Sequence, residues 1–230
     1  MPESFGYIIR NSPYRENSRL LDIFTQDYGR IPCIARPAKK RGKIMVGTLE
    51  PFRYLQLQWV GKGDVFTLTQ ADELGRHKLP ASELLKCLYI NELVYRLSQQ
   101  HQVTPELFQA YKNTLHRMAD PQTNPQSLMR FELFLLETLG YGINLYAEDD
   151  TNKEITTQFH YRYIPQHGII KNKPKQHQAD GFVLSGNLLI ALRDLQSMQL
   201  ADWQELRTFL DKIIRYLVGK PLNSRQLLKL

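Results

Sequence analysis

The apolar period of this chain changes near Pro80, and that change limits what each part can fold into. Before it, short runs alternate at every second residue. Residues 51–60 are the clearest case: Phe52, Tyr54, Gln56 and Gln58 share one face of an extended chain, and Leu55, Leu57 and Trp59 share the other. Residues 5–10, 20–25, 30–36 and 65–69 also read as strands, with turns at Gln26-Asp27-Tyr28-Gly29 and Gly61-Lys62-Gly63-Asp64. Five short strands predict a small antiparallel barrel, because closure removes the exposed edges of an open sheet.

After Pro80 the pattern is helical. Between Leu84 and Leu97 only Lys86, Asn91, Glu92 and Arg96 are polar, which predicts a helix buried on most sides, with Ser82 as its N-cap. Thr104 and Pro105 open a second helix over 105–118. A third is predicted over 126–139, stopped by Gly140 and Gly142. Residues 148–157 read as a polar loop, and 159–164 as a strand pairing with 168–171. Residues 171–180 are basic, rich in His and Gln, and read as exposed. Helices resume over 187–195 and 202–218, Gly219-Lys220-Pro221 ends the last of these, and Ser224 is placed to cap a further short helix. The expected fold class is α+β: a five-stranded barrel over 1–79, then a mainly helical domain over 80–230 with a small β-hairpin insertion around 148–185.

Charge points to a partner. Five of the eight residues from Arg36 to Lys43 are cationic: Arg36, Lys39, Lys40, Arg41 and Lys43. The net charge is +7, and residues 1–80 hold 13 Lys and Arg against 8 Asp and Glu, so the excess belongs mainly to the barrel. A basic loop on such a module can face phosphates at a fixed place, with nearby aromatics stacking under bases. The plainer reading is a solvated loop that keeps the protein in solution. Arg15 and Arg19 extend the basic surface, or else pair with Glu16 as structural ions. Tyr7, Tyr14, Phe52, Tyr54, Trp59 and Phe66 are the aromatic candidates, most of them needed for the core.

The chain carries no pattern for catalysis. Cys33 and Cys87 lie in apolar runs and read as buried free thiols, and no CxxC occurs. The histidines form no metal-ligand spacing, and there is no phosphate-binding P-loop, GxGxxG or GxSxG. No catalytic residue, metal site or cofactor is expected. No apolar stretch approaches the ~18 residues of a membrane span, so a soluble intracellular protein is expected. Two charged residues lie in the apolar run from Leu128 to Leu136 of the third helix. Arg130 shares a face with Gln126 and Glu137 and is predicted to be solvated. Glu132 points to the apolar side and needs a donor, Asn91 or Arg96 being the expected partners.

The chain resembles the RecO family of bacterial recombination mediators. The resemblance rests on an ordered set of pieces: Asn11-Ser12-Pro13-Tyr14-Arg15-Glu16-Asn17-Ser18, Leu21-Asp22-Ile23-Phe24-Thr25, Tyr28-Gly29-Arg30, Leu49-Glu50-Pro51-Phe52, Leu88-Tyr89-Ile90-Asn91-Glu92-Leu93, Arg130-Phe131-Glu132-Leu133, Leu139-Gly140-Tyr141-Gly142, Gly219-Lys220-Pro221-Leu222 and Ser224-Arg225. It implies an N-terminal OB-fold and a helical C-terminal domain. It implies a non-enzymatic protein that binds single- and double-stranded DNA, anneals complementary strands, and binds the acidic, apolar C-terminal tail of single-stranded DNA-binding protein. With RecR, such a protein helps load the RecA recombinase, in the cytoplasm, at the nucleoid during repair, with no membrane partner. Residues 36–43 match the family's DNA-facing loop. Arg130 matches a basic residue that receives the tail's terminal carboxylate, with Leu88, Leu93, Leu97 and Leu133 as groove residues. Two departures are present: Pro37 stands where relatives often have glycine, and the four-cysteine zinc site of some relatives is missing. A general OB-fold module that binds RNA or DNA without docking a partner is the alternative.

Overall fold

The structure is a computed structural model that describes residues 1–37, 44–120, 122, 126–172 and 181–224. Five strands close a barrel: β1 (Glu3–Tyr14), β2 (Ser18–Thr25), β3 (Gly29–Ala35), β4 (Arg53–Val60) and β5 (Phe66–Arg76), in the order β1-β2-β3-β5-β4. β4 returns to β1, and only the β3–β5 pair is parallel. This is the expected OB-like barrel. β1 and β5 run beyond the apolar alternation because their polar ends still find partners: Tyr14 lies opposite Ser18, and Arg76 opposite Arg53. The β1–β2 register shifts between Ile8 and Arg10, so Ile9 is a bulge.

From Tyr54 on, the two faces of β4 separate as the alternation requires; Phe52 precedes the strand at φ 64° and is buried rather than sharing the outer face. Leu55, Leu57 and Trp59 are buried in the barrel core with Ile8, Ile23 and Ile31, whereas Tyr54, Gln56 and Gln58 are half-buried on the outside. Tyr7 and Phe24 leave the barrel core on its outer side and pack under α2 (Pro105–Met118). Their rings lie 5.2 to 5.9 Å from those of Phe108 and Tyr111. All four are buried, and burying each such side chain stabilises the fold by about 1.5–3 kcal/mol. α1 (Ala81–Leu97) begins at Pro80 rather than Ser82. The extended proline carbonyl accepts from the amides of Glu83 and Leu84, which leaves Ser82 already inside the first turn.

The barrel, α1 and α2 belong to one compact unit, Met1–Leu128, which also includes the chain from Leu222. Glu92 of α1 holds that returning segment: its carboxylate accepts from the Asn223 amide at 3.0 Å and from the Ser224 amide and hydroxyl at 2.8 and 2.6 Å. Burial pushes the Glu92 carboxyl up, but these bonds and Arg96 outweigh it and the net shift is downward.

The second unit is Met129–Pro221. It holds most of α3 (Ser127–Thr138), a sheet in the order β7-β6-β8, and helices α4 (Gly186–Ala191) and α5 (Leu200–Val218). The strands are β6 (His160–Ile164), β7 (Gly168–Lys171) and β8 (Phe182–Ser185). The expected hairpin thus gains a third strand, four residues long. Ser185 caps α4 by accepting from the Leu188 amide, and Gly219 ends α5 in the left-handed region at φ 65°. Glu132 finds its donor within this unit, in Arg207 of α5, rather than in Asn91 or Arg96. No helix among the described residues is long and apolar enough to cross a membrane.

Candidate nucleic-acid interface

Three of the seven candidate phosphate contacts can be placed, and register brings them to one end of the barrel. Arg19 on β2 lies opposite Pro13 of β1 and Ala35 of β3. Arg36 follows Ala35 directly and is exposed. Arg15 sits in the turn that joins β1 to β2, with φ 51°. Arg19 is positioned by its own hairpin, since its Nε donates to Asn11 Oδ1 at 2.7 Å and the Asn11 amide donates to the Leu49 carbonyl at 3.0 Å. Lys39, Lys40, Arg41 and Lys43 lie outside the described residues. Among the described residues, Glu16 pairs with neither Arg15 nor Arg19, so both arginines keep their charge available.

The six aromatic candidates divide by burial. Tyr7, Phe52 and Trp59 are buried, which removes them from any stacking role. Tyr14, Tyr54 and Phe66 are half-buried. Tyr54 lies under Lys112, whose Nζ is 4.0 Å from the ring centroid, and Phe66 meets His101 edge-on at 5.7 Å. Tyr14 lies beneath the Arg15 guanidinium, 5.3 Å from its ring centroid. One aromatic ring and three arginines therefore share the hairpin end from which the basic run leaves. Such a set meets phosphates through the guanidinium forks and offers one ring to a base.

The residues expected to hold a peptide tail fall in both units. On α1, Leu88 is exposed and Leu97 half-buried. Leu93 is fully buried and serves the core; five residues from Leu88, it is turned about 140° around the helix and faces no ligand. In the second unit Arg130 is not on a solvated face. It is half-buried, its Nη2 donates to the Leu195 carbonyl at 2.9 Å, and its guanidinium lies 5.5 Å from the Trp203 ring centroid. Leu195 and Leu133 both line a cavity of about 630 Å³, with Leu136 and Leu192 as further apolar wall and Glu137 and Asp149 as its carboxylates. Asp149 is engaged, accepting from the Ile169 amide at 2.6 Å and the Asn144 amide at 3.2 Å. The Tyr163 phenol in the same wall is pushed up to about 12 by burial and by Tyr141 and Asp149 nearby, so it stays a neutral donor, bonded to the Tyr141 carbonyl at 2.9 Å.

Sequence reasoning missed Trp203, which fixes Arg130 from 73 positions along the chain, and also Arg10, whose setting depends on the bulge at Ile9. Neither signal is local. A single arginine at the end of an alternating strand looks like any solvated residue.

Two family models cover the chain. Residues 1–75 match the one described as Recombination protein O N terminal, and residues 82–226 the one described as Recombination protein O C terminal. The chain is similar to the DNA repair protein RecO of Vibrio cholerae serotype O1 (strain ATCC 39315 / El Tor Inaba N16961), with 35% identity over 227 residues, 97% of this chain and 92% of the relative. It is similar to that of Vibrio vulnificus (strain CMCP6), with 34% identity over 223 residues, 96% of this chain and 90% of the relative. It is also similar to that of Photobacterium profundum, with 33% identity over 224 residues, 96% of this chain and 93% of the relative.

Proposed function

The chain belongs to the RecO family of DNA repair proteins, and from that premise we propose that it binds single- and double-stranded DNA through the hairpin end of its barrel and anneals complementary strands. The supporting observation is the convergence of Arg15, Arg19 and Arg36 where the basic run begins. Cations there reduce the repulsion between two approaching phosphate backbones. Base pairing supplies the driving energy, so no nucleotide hydrolysis is needed and the protein acts without being an enzyme. The second unit docks the acidic, apolar tail of single-stranded DNA-binding protein at Arg130 and Leu133, which brings the chain to coated DNA. Together with RecR it then helps to load RecA, in the cytoplasm, on the nucleoid during repair.

The test is a titration of labelled oligonucleotides at several salt concentrations. Five phosphate contacts on single strands give a log–log slope of about −3.5. Charge reversal at Lys39, Lys40 and Arg41 should weaken binding and flatten that slope, and reversal at Arg15 and Arg19 should add to the loss. An unchanged slope in both variants removes the loop and hairpin from the interface. Reproducible cleavage of DNA by the pure protein with Mg²⁺ would overturn the non-enzymatic reading.

A further inference from the structure

We propose that the cleft between the β1 bulge and α1 is a second phosphate site, which takes the phosphate of a nucleotide and lies along the path of a bound single strand. It rests on the nucleic-acid reading above and extends it to residues outside the basic run.

The bulge builds the site. Ile8 and Ile9 are both buried, so Arg10 emerges toward α1 rather than following simple alternation. Its Nη1 donates to the Tyr95 hydroxyl, and its guanidinium lies 4.7 Å from the Tyr95 ring centroid. Two more guanidinia surround the same ring, Arg30 at 5.1 Å and Arg96 at 5.9 Å. Arg30 is buried and tied by both terminal nitrogens, to Asp22 Oδ1 at 2.9 Å and to the Ser98 carbonyl at 3.1 Å. Arg10 and Arg96 are not. The Arg10 side chain is 45% exposed and comes only to 3.7 Å from Asp22. Arg96 comes only to 3.8 Å from Glu92, whose carboxylate is already taken by Asn223 and Ser224.

Arg10 and Arg96 line one cavity of about 300 Å³ together with Tyr95, Leu88, Asn91 and Glu92. Asn91 adds an unused donor. Its Oδ1 is held by the Tyr111 hydroxyl at 2.6 Å, while its Nδ2 is buried without a partner. Asp22 and Glu92 oppose Arg10, Arg30 and Arg96, which leaves one net positive charge. Two arginine forks with free N–H groups suit an anion with several oxygens, and phosphate satisfies both where a single carboxylate satisfies one. Leu88 supplies an apolar wall for the rest of a nucleotide. Continuity gives the source: Arg10 lies on β1 five residues before Arg15, which sits in the turn that ends the strand, so the two are at most about 17 Å apart along the chain.

Phosphate, deoxythymidine monophosphate and a thymidine oligonucleotide are titrated into the full-length protein. Nuclear magnetic resonance of the arginine Nε–H groups and the Tyr95 ring reports on the cleft. All three should shift Arg10, Arg96 and Tyr95. Arg96→Gln should abolish the phosphate response, raise the oligonucleotide Kd about three- to tenfold at low salt, and make the salt slope shallower by about 0.7, one single-strand contact. Arg96→Lys should keep the slope and lose part of the affinity. Arg10→Gln serves as the second variant, with its melting temperature as a check that the cleft survives. A monophosphate response with unchanged oligonucleotide affinity in both variants supports the phosphate site and assigns it to a free nucleotide. No response to any of the three ligands overturns the site. The reading of the basic run stands in that case if reversal at Lys39, Lys40 and Arg41 still weakens oligonucleotide binding.

Discussion

Arg207 grips Glu132 with both terminal nitrogens, Nη1 to Oε2 at 2.7 Å and Nη2 to Oε1 at 3.0 Å, and the Glu132 side chain has no exposure at all. A second carboxylate, Asp211, lies 2.7 Å from Arg207 Nη2. The pair joins α3 to α5 inside the second unit. Removing one partner of such a pair leaves a buried charge uncompensated, at about 3–5 kcal/mol. Arg207→Ala strips both prongs from the buried carboxylate and should fall in that range. Glu132→Ala leaves Arg207 with Asp211 and should cost less. Urea denaturation of the two variants measures the order, and equal small losses would show that the pair contributes little.

His77 ties the end of the barrel to its aromatic face, with Nε2 at 3.1 Å from the Tyr7 hydroxyl and its ring 6.5 Å from that of His116. Burial pushes its pKa below the ordinary 6.5, helped by the positive charges of His116 and Lys112. The unfolded chain therefore takes up this proton before the folded one does. Stability from this group is present above about pH 6.5 and falls as the pH drops through that value toward the lower folded pKa. Between pH 7.5 and pH 5.5 the melting temperature of the natural protein should drop more than that of His77→Gln. Parallel curves would mean that His77 does not titrate with unfolding.

How much could be read in advance depended on how local each cause is. α2 runs from Pro105 to Met118 as expected, because Thr104 and Pro105 mark its start in adjacent residues. β4 sorted its faces correctly because alternation needs only its own residues. The bulge at Ile9 was invisible, since it is a property of pairing with β2 and not of β1. The need of Glu132 for a donor was legible from its apolar neighbours. Its partner was not, because Arg207 lies 75 residues away. The site divides in the same way. The cations stand out by composition, whereas the ring and carbonyl that fix Arg130 come from distant parts of the fold.

Cys33 and Cys87 are both free and buried, in the barrel core and on α1. Burial pushes each thiol up to about 12, with the carboxylate of Asp22 adding to the effect at Cys33 and that of Glu83 at Cys87. The reactive species is the thiolate, so both should be inert in the native protein at pH 8. A colorimetric thiol reagent should find no fast-reacting cysteine before denaturation and two after it. A fast native phase would show that the barrel or α1 opens locally.

The proposed function assigns Arg130 to partner docking and not to nucleic-acid binding. Its guanidinium is set by Trp203 and the Leu195 carbonyl, and the bond to Leu195 uses only one of its five N–H groups. On the proposed reading the remaining donors take the terminal carboxylate of the tail, since a guanidinium fork suits a carboxylate. Arg130→Ala should therefore weaken binding of a tail peptide about tenfold or more, since a charge-assisted bond contributes about 1.5–3 kcal/mol. Arg130→Lys should recover only part of that, because an ammonium cannot make the paired contact. Binding of naked oligonucleotide should not change, since the arginines on the barrel hairpin are untouched. Fluorescence anisotropy with a labelled tail peptide and a labelled oligonucleotide reads both on the same protein. A loss of both together would mean that the two ligands share Arg130, and the division of labour between the units would be wrong.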